Sequence, residues 1–319
     1  KEPVELPPSP QPIQTGAEGF QPDPGYFPDP GLVDAVNTAL LLGQPLLLTG
    51  EPGTGKTQLA YHLACQLGYK VLKFETKSTS QARDLFYSYD TLGRFHATQL
   101  KEEKKRTPDY ITYNALGLAI LLANEEQQIE QLIPSDFEKN LRHLFGEDGT
   151  FHQPQRTIVL IDEIDKAPRD FPNDILNEVE KSYFHIPELG PLGNDIIQAP
   201  AHLKPILILT SNSEKPLPNP FLRRCIYYHI PFPDPQRLRT IVEIRLAKYT
   251  NINNFLADAL NLFFKLRGGN LRKPPATAEL LNWLLILQEM FKGVANPLVQ
   301  TPESISRTLS ALVKTADDH

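Results

Sequence analysis

The chain has 319 residues, 40% of them hydrophobic and 22% charged, enough for roughly two domains with a sizeable core. Its formal net charge of −6 argues against an exposed duplex-binding surface and disfavours nucleic acid as a partner. Two cysteines, Cys65 and Cys225, are too few for a disulfide framework and read as reduced thiols in or near a core. No apolar run is long enough for a membrane span and no signal-peptide pattern opens the chain, so the expectation is a cytoplasmic protein. The start at Lys1 rather than Met suggests a fragment of a longer one.

The proline-rich leader, residues 1–24, cannot bury enough apolar surface to fold alone and reads as a linker or arm. From Tyr26 onward, Leu32, Val33, Val36, Ala39, Leu40 and Leu41 recur at helical spacing, and the turn Gly43-Gln44-Pro45 leads into the apolar strand Leu46-Leu47-Leu48. That strand feeds Gly50-Glu51-Pro52-Gly53-Thr54-Gly55-Lys56-Thr57 just as a new helical pattern begins. Such a loop cradles the phosphates of a nucleoside triphosphate: its glycines turn backbone N–H groups inward, and the helix start adds its positive end. Lys56 is assigned to the β- and γ-phosphates of ATP, and the Thr57 hydroxyl to Mg²⁺. A helix over 57–67, a strand over 70–74, a charged run at 101–106 and a helix from about 113 to 132 follow.

The acidic half of the site is expected at Thr157-Ile158-Val159-Leu160-Ile161-Asp162-Glu163. The apolar residues predict a buried parallel strand whose carboxyl end presents the two carboxylates, Asp162 as the Mg²⁺ partner and Glu163 as the group that polarises water. A helix over 171–181, an irregular stretch over 187–200 and a strand over 206–210 come next. The strand ends at Ser211-Asn212, where Asn212 orients the water, senses the γ-phosphate or serves as a simple turn residue. After a last strand over 226–230 the pattern is almost entirely helical from Asp234. Strands alternating with helices, then helices alone, predict an α/β parallel-sheet domain over 25–232 and a smaller α-helical lid domain over 233–319. His152, His185, His202 and His229 lack metal-ligand spacing, and the glycine-rich basic stretch 268–275 follows no strand, so it reads as the hinge region of the lid.

Together the phosphate loop, Ile161-Asp162-Glu163-Ile164-Asp165-Lys166-Ala167, Ser211-Asn212 and Leu217-Pro218-Asn219-Pro220-Phe221-Leu222-Arg223-Arg224 resemble AAA+ ATPases of the MoxR group, the helix-2 insert clade. The resemblance covers about residues 26–283. It implies an ATP-driven ring, usually a hexamer, with a helix-2 insert at about 76–99 and a hairpin before the first sensor at about 183–204. It makes Asn212 that sensor and Arg224 the best match to an arginine finger, with Arg223 as runner-up. A guanidinium supplied by the next subunit stabilises charge that develops on the γ-phosphoryl group. The position of the second-sensor arginine falls on Ala278, so either Arg272 upstream takes over the role or the lid senses ATP weakly. The implied function is a Mg-dependent ATP hydrolase that remodels a protein partner, with a von Willebrand factor A-type protein as leading candidate. The alternative is an ATP-holding switch with slow turnover in a multidomain signalling or defence protein; a nucleic-acid translocase is disfavoured by the charge.

Overall fold

A computed structural model describes residues 26–100, 105–146, 151, 153–193, 196–246, 254–269, 271–291, 294–301 and 303–314; the leader, residues 101–104 of the charged run and His152 lie outside them. Two compact units are present. Pro28–Thr49 and Thr57–His229 belong to the first, and Gly25–Phe27, Gly50–Lys56 and Ile230–His319 to the second.

The first unit is built on a five-stranded parallel sheet. Its strands are β1 (Leu46–Thr49), β2 (Lys70–Glu75), β5 (Thr157–Asp162), β8 (Ile206–Ser211) and β9 (Ile226–His229), in the order β2-β5-β8-β1-β9. Leu46 lies opposite both Ile208 and Ile226, and Glu75 opposite Asp162. The apolar runs of β1, β5 and β8 are buried on both faces, whereas the edge strands β2 and β9 are only partly covered; continuous hydrophobicity belongs to the middle of a parallel sheet. Because all five strands run the same way, Thr49, Asp162 and Ser211 emerge at one end. Strand order reverses there at β1, the switch point at which open α/β sheets bind ligands.

Between β2 and β5 the chain inserts an antiparallel hairpin, β3 (Tyr87–Tyr89) with β4 (Ile111–Tyr113), whose connection carries the helix Thr91–Leu100. A second hairpin, β6 (Tyr183–Phe184) with β7 (Ile197–Gln198), precedes β8. The first hairpin begins within residues 76–99 and runs past them to Tyr113, and the second falls within residues 183–204. Two helices differ from expectation. The one predicted to start near Tyr113 is Ala115–Leu122, buried on every side, and it stops because Asn124 turns its side-chain amide back onto the Ile120 carbonyl (2.7 Å). The segment 171–181 is two short helices, Phe171–Asp174 and Leu176–Lys181, broken at Ile175, where ψ is 0°.

The second unit packs the helices Pro235–Arg245, Phe255–Arg267 and Thr277–Met290, with shorter pieces after them, around Leu238, Val242, Phe263, Leu287 and the fully buried Trp283. The indole N–H of Trp283 donates to Thr308 Oγ1 at 2.9 Å, which satisfies its one polar atom.

Candidate nucleotide-binding site

In the first unit the predicted acidic residues meet at the carboxyl ends of β5 and β8. Asp162 Oδ1 accepts hydrogen bonds from the hydroxyls of Thr57 (2.9 Å) and Thr210 (2.6 Å), while Oδ2 faces the Lys73 ammonium at 3.1 Å. Burial pushes the Asp162 carboxyl up, but the bonds from Thr210, Lys73 and Thr57 outweigh it and hold the group below the usual carboxylate range. Thr57 and Asp162 thus place two oxygen donors side by side, a set that fits a hard divalent cation such as Mg²⁺.

Glu163 adopts left-handed backbone geometry (φ 56°, ψ 50°), a conformation that costs a residue with a Cβ about 1–2 kcal/mol. Its N–H donates to Thr210 Oγ1 (2.9 Å), and Oε1 accepts from the Asn212 amide (3.1 Å). Lys166 pairs with the other carboxylate oxygen. The loop after β8 is held by Asp165, only 2% exposed, whose carboxylate accepts from the backbone N–H groups of Asn212 (3.4 Å) and Glu214 (2.9 Å). Thr57, Asp162, Glu163 and Asn212 are therefore brought together as the sequence reading has them. Thr210, Lys73 and Asp165 went unassigned; Asp165 stands inside the quoted acidic motif, and its strand-end spacing was the available signal.

In the second unit the phosphate loop curls through positive φ at Gly50 (146°), Gly53 (78°) and Gly55 (91°). A side chain at Gly50 would strike the Ile230 carbonyl at 2.6 Å, and one at Gly53 would meet Ala276 Cβ at 3.0 Å. Glycine is thus required there both by φ and by space. Lys56, 6% exposed, donates to the loop's own carbonyls at Gly50 (2.8 Å) and Glu51 (2.9 Å). Thr54 caps the Glu51 carbonyl with its hydroxyl (2.8 Å), and Pro52 lies exposed between them. A loop curled through positive φ at these three glycines can turn backbone N–H groups toward an anionic phosphate.

Ala278 lies beside this loop, its Cβ 3.7 Å from where a Gly53 Cβ would stand. Arg272 is exposed in the segment before that helix. Arg267, which the sequence reading does not assign, reaches the loop and pairs with Glu51 at 2.9 Å. Arg223 is exposed; Arg224 pairs with Glu180 at 3.0 Å and also donates to the Pro220 carbonyl. Cys65 and Cys225 are free and half-buried, and burial pushes the Cys225 thiol up to about 12.

A β2-β5-β8-β1-β9 parallel sheet, a glycine turn with Lys-Thr after the inner strand β1 and an acidic pair at the end of β5 define a phosphate-loop nucleotide-binding protein of the AAA+ type. A model of the AAA domain, dynein-related subfamily, matches residues 45–225, more than half of the chain, and the chain belongs to that family. No curated protein matches it. Among solved structures, a proline-to-glycine variant of Thermotoga maritima RuvB is similar at 16% identity with a TM-score of 0.49, covering 88% of this chain and 67% of that one. A threonine-to-valine variant of the same protein has 15% identity and a TM-score of 0.47, covering 88% and 66%. The chain spans about two thirds of the length of those structures.

Proposed function

We propose that the chain is a Mg-dependent ATP hydrolase of the MoxR-like AAA+ type, working in a ring to remodel or activate a protein partner. The observation that carries the chemistry is the pair of contacts at the sheet end, Thr57 to Asp162 and Asn212 to Glu163. In this reading Thr57 and Asp162 hold the divalent ion, which when bound neutralises phosphate charge. Glu163 accepts the proton of the attacking water. Asn212 fixes the direction of its carboxylate, and Lys166 pairs with the other carboxylate oxygen. Lys56 exchanges the carbonyls of Gly50 and Glu51 for phosphate oxygens, a swap open to a flexible ammonium with three donors. The ring, its size and a von Willebrand factor A-type partner rest on the family resemblance.

Glu163→Gln keeps the side-chain shape but removes the base, so ATP binding persists while turnover falls at least about a hundredfold. Lys56→Ala loses nucleotide affinity instead. Steady-state ATPase assays with parallel titrations of a fluorescent ATP analogue separate the two. Hydrolysis by Glu163→Gln at the parent rate removes Glu163 from the role.

The second reading, a slow ATP-holding switch in a multidomain protein, is favoured by Ala278 beside Gly53, since alanine there cannot bridge phosphate. Arg272 remains the proposed substitute sensor: Arg272→Ala then lowers ATP affinity or turnover by about tenfold or more. Unchanged binding and turnover in that variant shift the weight to the switch.

A further inference from the structure

Arg267 ends the helix Phe255–Arg267 and is only 13% exposed, with its guanidinium saturated on three sides. Its Cζ lies over the Phe232 ring, 3.5 Å from the centroid, Nη1 donates to the Pro275 carbonyl at 2.6 Å, and Nη2 donates to Glu51 Oε2 at 2.9 Å. The stack and the carbonyl fix the fork, so it presents one remaining edge in a set direction. That edge holds Glu51, a carboxylate placed within the phosphate loop between Gly50 and Pro52. The backbone carbonyl of the same residue accepts Lys56 Nζ and the Thr54 hydroxyl. Arg267 is thereby linked through one residue to the lysine and the turn that form the phosphate cradle.

A carboxylate in an anion-binding loop is an electrostatic liability, because it repels the charge the loop exists to bind. Resting on the nucleotide reading above, we propose that Arg267 is a positioning residue for the phosphate loop. It neutralises Glu51 and holds it against the helical unit, and so raises the affinity of the loop for a nucleoside triphosphate. Ala278, beside the same loop, carries no charge that could do this. The role predicts a particular sign for each variant. Arg267→Ala leaves Glu51 unpaired, and ATP binds about three- to tenfold more weakly, the scale of one partly solvated charge acting on another. Glu51→Gln alone removes the repulsion and frees a guanidinium, so ATP binds as tightly as in the parent or tighter. Combining the two removes both the repulsion and its counterweight, and affinity returns to within about twofold of the parent.

Rescue by Glu51→Gln separates this role from packing, since the lost stack on Phe232 and the lost bond to Pro275 stay lost in the double variant. The experiment is a fluorescent-ATP titration of the parent, Arg267→Ala, Glu51→Gln, the double variant and Lys56→Ala, with thermal melts to confirm folding. An Arg267→Ala affinity equal to the parent's overturns the inference, and so does a double variant as weak as Arg267→Ala. If Arg267→Ala does not fold, Glu51→Gln decides, because weaker binding in that variant overturns the proposal by itself. A parent that binds no ATP overturns the nucleotide reading and this inference with it; a parent that binds, with no effect of Arg267, overturns this inference alone.

Discussion

At Asp162 a charge is held by two hydroxyls and one ammonium. Its folded-state carboxyl titrates below the usual value near about 3.9, so the ionised form stabilises the fold. That contribution is complete above the unfolded value and is lost as pH falls through the lower, folded one. Thermal melts from pH 7 down to pH 3 should therefore show a steeper loss of stability at the acid end for the parent than for Asp162→Asn. Equal slopes would mean that the bonds to Thr57, Thr210 and Lys73 do not favour the anion. Thr210 is the sharper case, because one hydroxyl serves two masters: it accepts from Glu163 N–H and donates to Asp162. Valine has nearly the same shape but neither function. At a residue 1% exposed, Thr210→Val leaves a buried N–H unsatisfied, at a cost of about 1–3 kcal/mol. Urea unfolding should show that loss together with slower hydrolysis, as Glu163 loses the bond that holds its left-handed backbone. Full stability in Thr210→Val would show that the hydroxyl does not hold this corner.

Between strands and helices, the two inserted hairpins of the first unit are joined through Phe184 and Glu188. Phe184 of β6 stacks on Phe86 with centroids 5.5 Å apart and meets Tyr113 of β4 edge-on at 6.3 Å. Glu188 then accepts from the Tyr87 hydroxyl (2.7 Å) and pairs with Arg83 (3.0 Å). Phe184→Ala should lower stability by about 3–5 kcal/mol, whereas Tyr87→Phe, which keeps the ring and drops one bond to a charged partner, should cost about 1.5–3 kcal/mol; chemical denaturation measures both. Such links explain what could be read in advance. The phosphate loop, the apolar strands β1, β5 and β8 and the acidic pair were legible because each is a run of neighbouring residues with its own periodicity or turn chemistry. Helix ends were less so: the helical pattern runs on past Leu122, where Asn124 turns its side chain back onto the Ile120 carbonyl and Glu125 is already extended. Thr210 and Arg267 were not legible as site residues. Their roles depend on partners 47 and 216 positions away in sequence, and nothing local marks a strand threonine or a helix-terminal arginine for such a task.

At the scale of the whole molecule, one chain supplies a lysine, two carboxylates, a threonine and an asparagine for the proposed hydrolysis, but its two finger candidates differ in how they are held. Arg224 pairs with Glu180, with the two side chains 42% and 52% exposed. Arg223 is exposed beside it. An ion pair that open to solvent is worth about 0–1 kcal/mol, so Glu180 does not bar Arg224 from a neighbouring subunit's γ-phosphate, where a charge-assisted bidentate contact offers more. Both arginines therefore stay in the test, and the proposed ring provides it. A chain with Lys56→Ala cannot bind nucleotide but carries an intact finger; a chain with Arg224→Ala binds nucleotide but cannot complete its neighbour's site. If the site is shared, mixing the two should restore part of the ATPase activity that each lacks alone, and the same mixture with Arg223→Ala in place of Arg224→Ala identifies the acting arginine. The recovered rate should rise with the fraction of mixed assemblies, followed by differential tagging and native mass spectrometry. Mixed assemblies that form and stay inactive would place every hydrolytic group within one chain and favour the slow switch over the ring-driven remodeller.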